Sequence, residues 1–300
     1  MINEAVRLLL DQQSSDGGWG AVKGKVSNTE STAFAVSALE SLQQKELTKR
    51  VEAGLSWLSR HQNSDGSWSL NDVTPGGSWS TAVALLCLGA LPAYRSRAVK
   101  AAQWALTQEG NTVGWLGSLI LWFTAQKDIN KINMDLKGWP WAAGSFSWVE
   151  PTSYFLIGLK RLKPSLGGTN VDDRIRQAEL MIYDRVCEGG GWNYGNSKVY
   201  GEALWPYPDI TALALIALQD HPNTEANRES IERLEKTLKD VDSGLALSWA
   251  IICFELYGRS VSEWRQLLIK RFEKTAFLGE TKTLALSVLA LEDIPQFLRI

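Results

Sequence analysis

Four acidic residues recur at one place in a periodic sequence pattern, two positions before the threonine or glycine that opens a run of small apolar residues: Glu30, Glu150, Asp209 and Asp242. Such runs are typical of buried helices, so these carboxylates are expected at or near helix N-termini. A helix N-terminus favours the ionised carboxylate, which suits a base, a cation stabiliser or a metal ligand, whereas burial raises a carboxyl pKa. Asp209 and Glu150 are the candidate catalytic residues, and Glu30 and Asp242 are candidate substrate-binding residues. Helix capping, with a dipole interaction of about 0.3–1 kcal/mol, is the alternative explanation for each acid.

Aromatic side chains crowd the two stretches that precede Glu150 and Asp209. Aromatic faces stabilise cations by roughly 0.5–2 kcal/mol each, which would suit carbocation chemistry, but they also stack on sugars or pack in a core. We predict that Trp79 and five of these aromatic residues line a cavity and bind substrate, the five being Trp139, Trp141, Trp148, Trp205 and Tyr207. Trp79 takes the acid's place in the second repeat, and Glu280 fits the sixth position only loosely. Trp19, Trp68 and Trp192 are predicted to brace their loops.

Other kinds of site find little support. The two histidines, His61 and His221, fall on outer helices or loops, so neither a Ser-His-Asp arrangement nor a zinc site is predicted. The Gly189–Gly191 run lacks the Lys-Ser/Thr of a phosphate loop. Thirty-one basic and 33 acidic residues give no electrostatic basis for nucleic-acid binding. No cofactor is predicted.

An internal repeat organises the chain. The loops Gln13–Trp19 and Gln62–Trp68 read QSSDGGW and QNSDGSW, and their tryptophans are 49 residues apart. Each loop follows a charged helical pattern and leads into an uncharged helix rich in Ala, Leu and Thr. Self-similarity at this period is typical of repeat architectures.

The repeat predicts an all-α fold, a closed α6/α6 toroid of about six helical hairpins that spans residues 1–300 as one domain. The first helix of each pair is amphipathic and should face outward, whereas the second is apolar all round and should be buried. Every outer-to-inner loop then lies at the same end, so the acids and the aromatic loops meet at one mouth. The third pair is ambiguous, because both Val113–Ala125 and Pro151–Lys160 fit an inner helix.

These motifs resemble the prenyltransferase/squalene-hopene cyclase repeat family, whose members carry Gln–Trp (QW) loops. The resemblance rests on Gln13–Trp19 and Gln62–Trp68, on Gly190–Tyr194, and on the Thr-Ala-x-Ala-Leu helices, and it covers essentially the whole chain. It implies an α/α toroid with a hydrophobic central cavity. The Asp-x-Asp-Asp acid motif of class II cyclases and the zinc ligands of protein prenyltransferases are both missing, so the chain is an atypical short relative of that pattern.

Three functions stay open, and the sequence does not decide whether the protein is catalytic. The first is an isoprenoid- or terpenoid-handling protein that binds a polyprenyl chain and performs cyclisation or prenyl transfer. The second is a non-catalytic toroid that binds a lipid, peptide or protein partner, a membrane surface being a further option. The third is a carbohydrate-active α6/α6 barrel with paired carboxylates. The Gln–Trp repeat favours the first two.

A cytoplasmic location is expected from two features. The three cysteines, Cys87, Cys187 and Cys253, show neither a disulfide framework nor metal-ligand spacing. The N-terminus reads Met1-Ile2-Asn3-Glu4 and runs directly into an amphipathic pattern, so no signal peptide is predicted.

Overall fold

Helices dominate the computed structural model, which describes residues 1–112, 133, 135–292 and 296–300. Twelve α-helices lie in those residues, and we number them in chain order. They are α1 Ile2–Gln12, α2 Thr29–Ser41, α3 Thr48–Arg60, α4 Ser80–Gly89, α5 Arg95–Leu106, α6 Val149–Leu166, α7 Thr169–Asp184, α8 Pro208–Ala217, α9 Glu225–Thr237, α10 Gly244–Leu256, α11 Ser262–Thr275 and α12 Thr281–Leu291. The predicted all-α fold is confirmed.

The even-numbered helices form a closed inner ring. Each packs on the next, from α2 through α4, α6, α8 and α10 to α12, and α12 packs back on α2. Each odd-numbered helix packs outside this ring, α3 on α2, α5 on α4, and so on, while α1 packs on α12. Six hairpins therefore close into an α6/α6 toroid, as the repeat predicted.

The two rings differ in burial as their sequences require. In α10, ten of the 13 residues are buried, whereas the outer helix α9 buries only four of its 13. A helix that is apolar all round is stable only when protein surrounds it, and an amphipathic helix presents one stripe to the core. Composition alone thus assigns each helix to its ring.

A tryptophan braces each of the first four outer-to-inner loops. The indole Nε1–H of Trp19 donates to the Leu9 carbonyl at the end of α1 (2.7 Å), and its backbone N–H donates to Thr32 Oγ1 in α2 (2.9 Å). Trp68 and Trp192 make the same pair of bonds in their own repeats. Each brace ties the end of an outer helix to the start of its inner helix.

Trp139 is the third brace, which corrects its predicted place in the cavity. It is fully buried, its indole donates to Ala105 at the end of α5 (2.9 Å), and its backbone N–H donates to Thr152 Oγ1 (2.9 Å). The third inner helix is therefore α6. The predicted apolar helix Val113–Ala125, with Trp115, lies outside the described residues.

The first and last hairpins are clasped by buried hydrogen bonds. The Thr281 hydroxyl lies 2.8 Å from Gln12 Oε1 and 2.7 Å from the Gly20 carbonyl, and the Gln12 amide donates to the Gly279 carbonyl at 2.8 Å. These contacts join residues more than 260 positions apart and close the ring.

A strand hairpin and three free cysteines also belong to the fold. A short antiparallel hairpin, β1 Lys198–Val199 and β2 Glu202–Ala203, projects from the loop before α8. The three cysteines are buried free thiols. None of the helices described is both long and apolar enough to cross a membrane.

Candidate functional site

A cavity of about 310 Å³ opens at the end of the ring where the inner helices begin. Three acids and one lysine face it, together with four aromatic and three aliphatic side chains. The lining residues are Glu30, Trp79, Trp141, Glu150, Tyr194, Asp209, Ile210, Leu213, Leu245, Trp249 and Lys282. The predicted mouth, where acids and aromatic residues meet, is thus a real cavity.

Lys282 is the centre of the polar part of the cavity. It lies in the first turn of α12, and its Nζ is 2.7 Å from Glu30 Oε1 and 3.4 Å from Glu150 Oε1. Glu30 belongs to the neighbouring helix α2, but α6, which carries Glu150, stands opposite α12 in the ring. The ion pair between Lys282 and Glu150 therefore spans the lumen.

Burial and charge act against each other in this cluster. Burial raises the pKa of Glu150, the Lys282 ammonium offsets part of this, and Glu30 and Asp209 raise it further. Burial alone would lower the pKa of Lys282, but Glu30, Tyr154 and Glu150 outweigh it and hold that pKa well above its usual value. The lysine is therefore a stable cation, and Glu150 is the carboxyl in the cavity that burial turns toward its protonated form.

Asp209 lies in the first turn of α8 and is only partly buried. Its one hydrogen bond from a described side chain comes from the Tyr194 hydroxyl, at 3.4 Å, and it makes no ion pair with any residue the structure describes. Burial, Asp209 and Glu150 together raise the pKa of Tyr194 to about 12, so its hydroxyl stays a donor. Asp209 thus presents a carboxylate to the cavity without a protein cation.

Three aromatic side chains from alternate inner helices fill the lumen below the mouth. Phe34, Tyr154 and Trp249 come from α2, α6 and α10, with ring centroids 6.0–6.3 Å apart. Phe34 and Tyr154 stand four residues, about one helical turn, after Glu30 and Glu150. We name these three residues the aromatic floor.

Five of the predicted site residues come together at the cavity: Glu30, Trp79, Trp141, Glu150 and Asp209. The rings of Trp79 and Trp141 meet edge to face, 4.8 Å between centroids. The acid at the mouth of the second repeat is thus replaced by an aromatic wall, as the alignment of repeats indicated.

Besides Trp139, three predicted aromatic residues lie outside the cavity lining. Trp148 is 37% exposed and packs over Gly195 of the next loop. Trp205 is 78% exposed, 5.4 Å from the guanidinium of Arg233, beside a separate pocket of about 210 Å³. Tyr207 packs against Tyr194, with ring centroids 5.6 Å apart and the ring planes tilted by 50°.

Asp242 is also outside, because it points away from the ring. Its carboxylate is exposed and pairs with Arg271 of α11 at 2.9 Å. Glu280 accepts hydrogen bonds from the backbone N–H groups of Lys282 and Thr283, so it is a helix cap. Capping, the alternative explanation for the acids, thus holds for Glu280.

Lys282 and Trp249 were missed by the sequence analysis. A signal existed for Lys282, because it is the one basic residue in the first turn of the six inner helices. Trp249 stands in the middle of an apolar run, where a core role and a cavity role give the same pattern. Its position across the lumen from α2 and α6 follows only from closure of the ring.

A carboxylate and histidine cluster lies at the opposite end of the ring. Glu179, Asp220 and His221 are the described residues whose ligand atoms are close enough to hold a metal ion. The buried Lys160 ammonium already lies between them, 2.7 Å from Glu179 and 2.5 Å from Asp220. A cation of the protein itself therefore occupies this group, which suits structure better than metal binding.

Comparisons with known proteins identify similar folds. No protein-family model and no curated protein matches the sequence. The type II terpene cyclase MstE from Scytonema is 17% identical with a TM-score of 0.60, covering 97% of this chain and 95% of that one. A variant of MstE has also been solved with its product, merosterolic acid A.

Glycoside-processing enzymes are equally similar in structure. An alpha-amylase from Clostridium perfringens is 11% identical with a TM-score of 0.63, covering 97% of both chains. An inactive variant of the alpha-1,6-mannanase GH76A of Salegentibacter sp. HEL1_6, solved with alpha-1,6-mannotriose, is 11% identical with a TM-score of 0.60, covering 99% of this chain and all of that one. At such identities the likeness establishes the fold alone: the chain has a toroid architecture that terpene cyclases and glycoside-processing enzymes share.

Proposed function

We propose that the protein handles an isoprenoid or terpenoid, binding its hydrocarbon part in the cavity and cyclising it by protonation of an alkene. The observation that carries this proposal is the buried Glu150 carboxyl, whose pKa is raised by burial, in a cavity walled by Trp79, Trp141 and Trp249. A protonated acid starts such a reaction, and aromatic faces stabilise the cation that results.

The roles of the two candidate catalytic acids then separate. Glu150 transfers its proton to one alkene carbon, and the positive charge develops on the other carbon among the aromatic rings. Asp209, which makes no ion pair with a described residue, stabilises that charge and accepts a proton when the product alkene forms. Glu30 neutralises Lys282, so the lysine does not oppose the developing cation.

The charges of the cavity restrict the substrate. Among the described residues, three carboxyl groups face the cavity and the one lysine is already paired, so a diphosphate group would be repelled. The volume of about 310 Å³ is at the small end of the range for ligand pockets, roughly 300–1,000 Å³. The cavity therefore suits a chain end that carries no phosphate group, or a short terpenoid.

Incubation with matched neutral and charged polyprenes tests the proposal. Squalene and geranylgeraniol are incubated alongside geranylgeranyl diphosphate, and extracts are analysed by mass spectrometry for cyclised products. We expect cyclised product from a neutral polyprene and its loss in the Glu150→Gln and Asp209→Asn variants.

Asp242→Asn is the matched control, because Asp242 occupies the same repeat position but lies outside the cavity. Lipid that is retained but not converted would indicate the non-catalytic binding function. The absence of both cyclised product and retained lipid would overturn the isoprenoid proposal.

A carbohydrate-active function is the second candidate. One observation favours it: oxygens of Glu30 and Glu150 lie within 3.4 Å of the same nitrogen, so the two carboxyl groups are close enough for a glycosidic bond to fit between them if Lys282 moves aside. Release of reducing sugar from alpha-1,6-mannan or starch, lost in both Glu30→Gln and Glu150→Gln, would establish this function in place of the first.

A further inference from the structure

The Lys282 ammonium shows what kind of group the cavity stabilises. It is held by the carboxylates of Glu30 and Glu150, and it also lies over the rings of Phe34 and Tyr154, 5.7 and 5.8 Å from their centroids. Burial normally drives an ammonium toward its neutral form, and here the surroundings reverse that effect. The upper surface of the aromatic floor, with the acids around it, is thus a cation-stabilising environment.

Lys282 contacts only part of this environment. Asp209 faces the open volume with only the Tyr194 hydroxyl as a partner among the described side chains. Trp79, Trp141 and Trp249 wall the same volume. A carboxylate within an enclosure of aromatic faces is the arrangement that recognises organic ammonium ions.

We propose that the open part of the cavity binds an organic ammonium group carried on an apolar skeleton. Asp209 is its counter-ion, and Trp79, Trp141, Tyr194 and Trp249 are its enclosure. The proposal names the ligand class of the cavity and rests on the proposed function only in taking that cavity as the ligand site.

Charge balance supports a cationic ligand over a neutral or an anionic one. Among the described residues the cavity contains three carboxyl groups against one ammonium, and that ammonium lies beside Glu30 and Glu150, so Asp209 is the acid without an ion-pair partner. A neutral ligand would leave this carboxylate desolvated without compensation, and an anion would add to the repulsion. A ligand with one positive charge gives the Asp209 carboxylate a counter-ion.

Binding of choline and of its neutral isostere, 3,3-dimethyl-1-butanol, tests the proposal directly. The two molecules have the same shape, so their difference measures the contribution of charge. Binding is followed by isothermal titration calorimetry and by quenching of tryptophan fluorescence. We expect choline to bind at least about tenfold more tightly than the isostere, since ion pairing and cation–π attraction act together.

Two variants give this test its control. Asp209→Asn should weaken choline binding by about tenfold and leave the isostere unaffected, whereas Asp242→Asn should change neither. Equal binding of the two molecules, absence of binding by both, or an unaffected Asp209→Asn variant would each overturn the proposal.

The proposed ammonium site and the proposed cyclase activity can each fail without the other. Selective choline binding by a protein that converts no polyprene supports the ammonium site and removes the cyclase. Conversion of a neutral polyprene without selective choline binding supports the cyclase and removes the ammonium site.

Discussion

Glu150 experiences two opposing influences in the first turn of α6. The helix N-terminus and Lys282 favour the ionised carboxylate, whereas burial and the nearby acids favour the protonated form, and the net effect is a raised pKa. The sequence indicates both influences but does not rank them, because the depth of burial depends on the closed ring.

Stability should therefore depend on pH through Glu150. A carboxyl whose pKa is raised in the folded state binds its proton more tightly there, so its contribution is fully present below the unfolded value of about 4.5 and is lost as pH rises through the folded value. We expect the free energy of unfolding of the wild type, minus that of Glu150→Gln, to fall as pH increases above about 4.5.

Urea denaturation between pH 4 and pH 8 measures this difference. The exposed Glu52→Gln variant is the matched control for loss of one carboxyl group from the surface. A difference that grows with pH would show that Lys282 dominates over burial at Glu150.

Hairpin packing depends on close contacts between the elements, and Gly54 of α3 gives the clearest case. A Cβ at this position would collide with Val36 Cγ2 of α2 and lie 2.8 Å from the Trp19 ring. The outer helix can approach the inner helix and the first brace this closely only because the residue has no side chain.

Gly54→Ala should therefore destabilise the protein although alanine is the better helix former. Overpacking typically costs about 1–3 kcal/mol, which exceeds the gain of about 0.5–1 kcal/mol from helix propensity. Chemical denaturation checks the sign, with the exposed Lys49→Ala variant in the same helix as control, expected within about 0.5 kcal/mol of wild type. A stabilised Gly54→Ala variant would mean that α3 does not pack on α2 as described.

The helical elements were predictable because each hairpin repeats its own pattern. Trp19 and Trp68 stand 13 residues before Thr32 and Thr81, and Trp139 stands 13 residues before Thr152. That spacing identifies the third brace, but the separation of 34 residues between Trp139 and its partner Ala105 hid it, since Trp19 is only ten residues from Leu9. The greater length of chain before this brace, rather than a change in its chemistry, obscured the assignment.

The candidate site was predictable only where an acid recurs at the same position in several repeats. Glu30, Glu150 and Asp209 share such a position, so their convergence followed from the fold. Lys282 acquires its role from Glu150, 132 residues away on the opposite helix, and no local pattern encodes that distance. The outward orientation of Trp205 likewise depends on how its loop lies against Arg233.

Closure of the ring distinguishes this molecule from an open helical array. The clasp between Gln12 and Thr281 couples the first hairpin to the last, so all six hairpins should unfold together. We expect a double-mutant cycle of Gln12→Ala and Thr281→Val to give a coupling energy of about 0.5–3 kcal/mol, because the two side chains share buried hydrogen bonds.

Equilibrium unfolding in urea, followed by circular dichroism and by tryptophan fluorescence, measures the cycle. The exposed Gln44→Ala variant, combined with Thr281→Val, is the matched control and should be additive within about 0.5 kcal/mol. Additivity in the Gln12 cycle as well would show that the clasp contributes nothing to closure.

The aromatic floor makes the lumen a blind tunnel. About one helical turn below the mouth, the lumen is blocked by the rings of Phe34, Tyr154 and Trp249, which are in contact. A ligand that enters past Trp79 and Trp141 must therefore leave by the same opening. Uptake and release then compete for one gate. A bound molecule that becomes bulkier or stiffer inside would leave more slowly than it entered. If the protein is the cyclase proposed above, product release would then limit its rate.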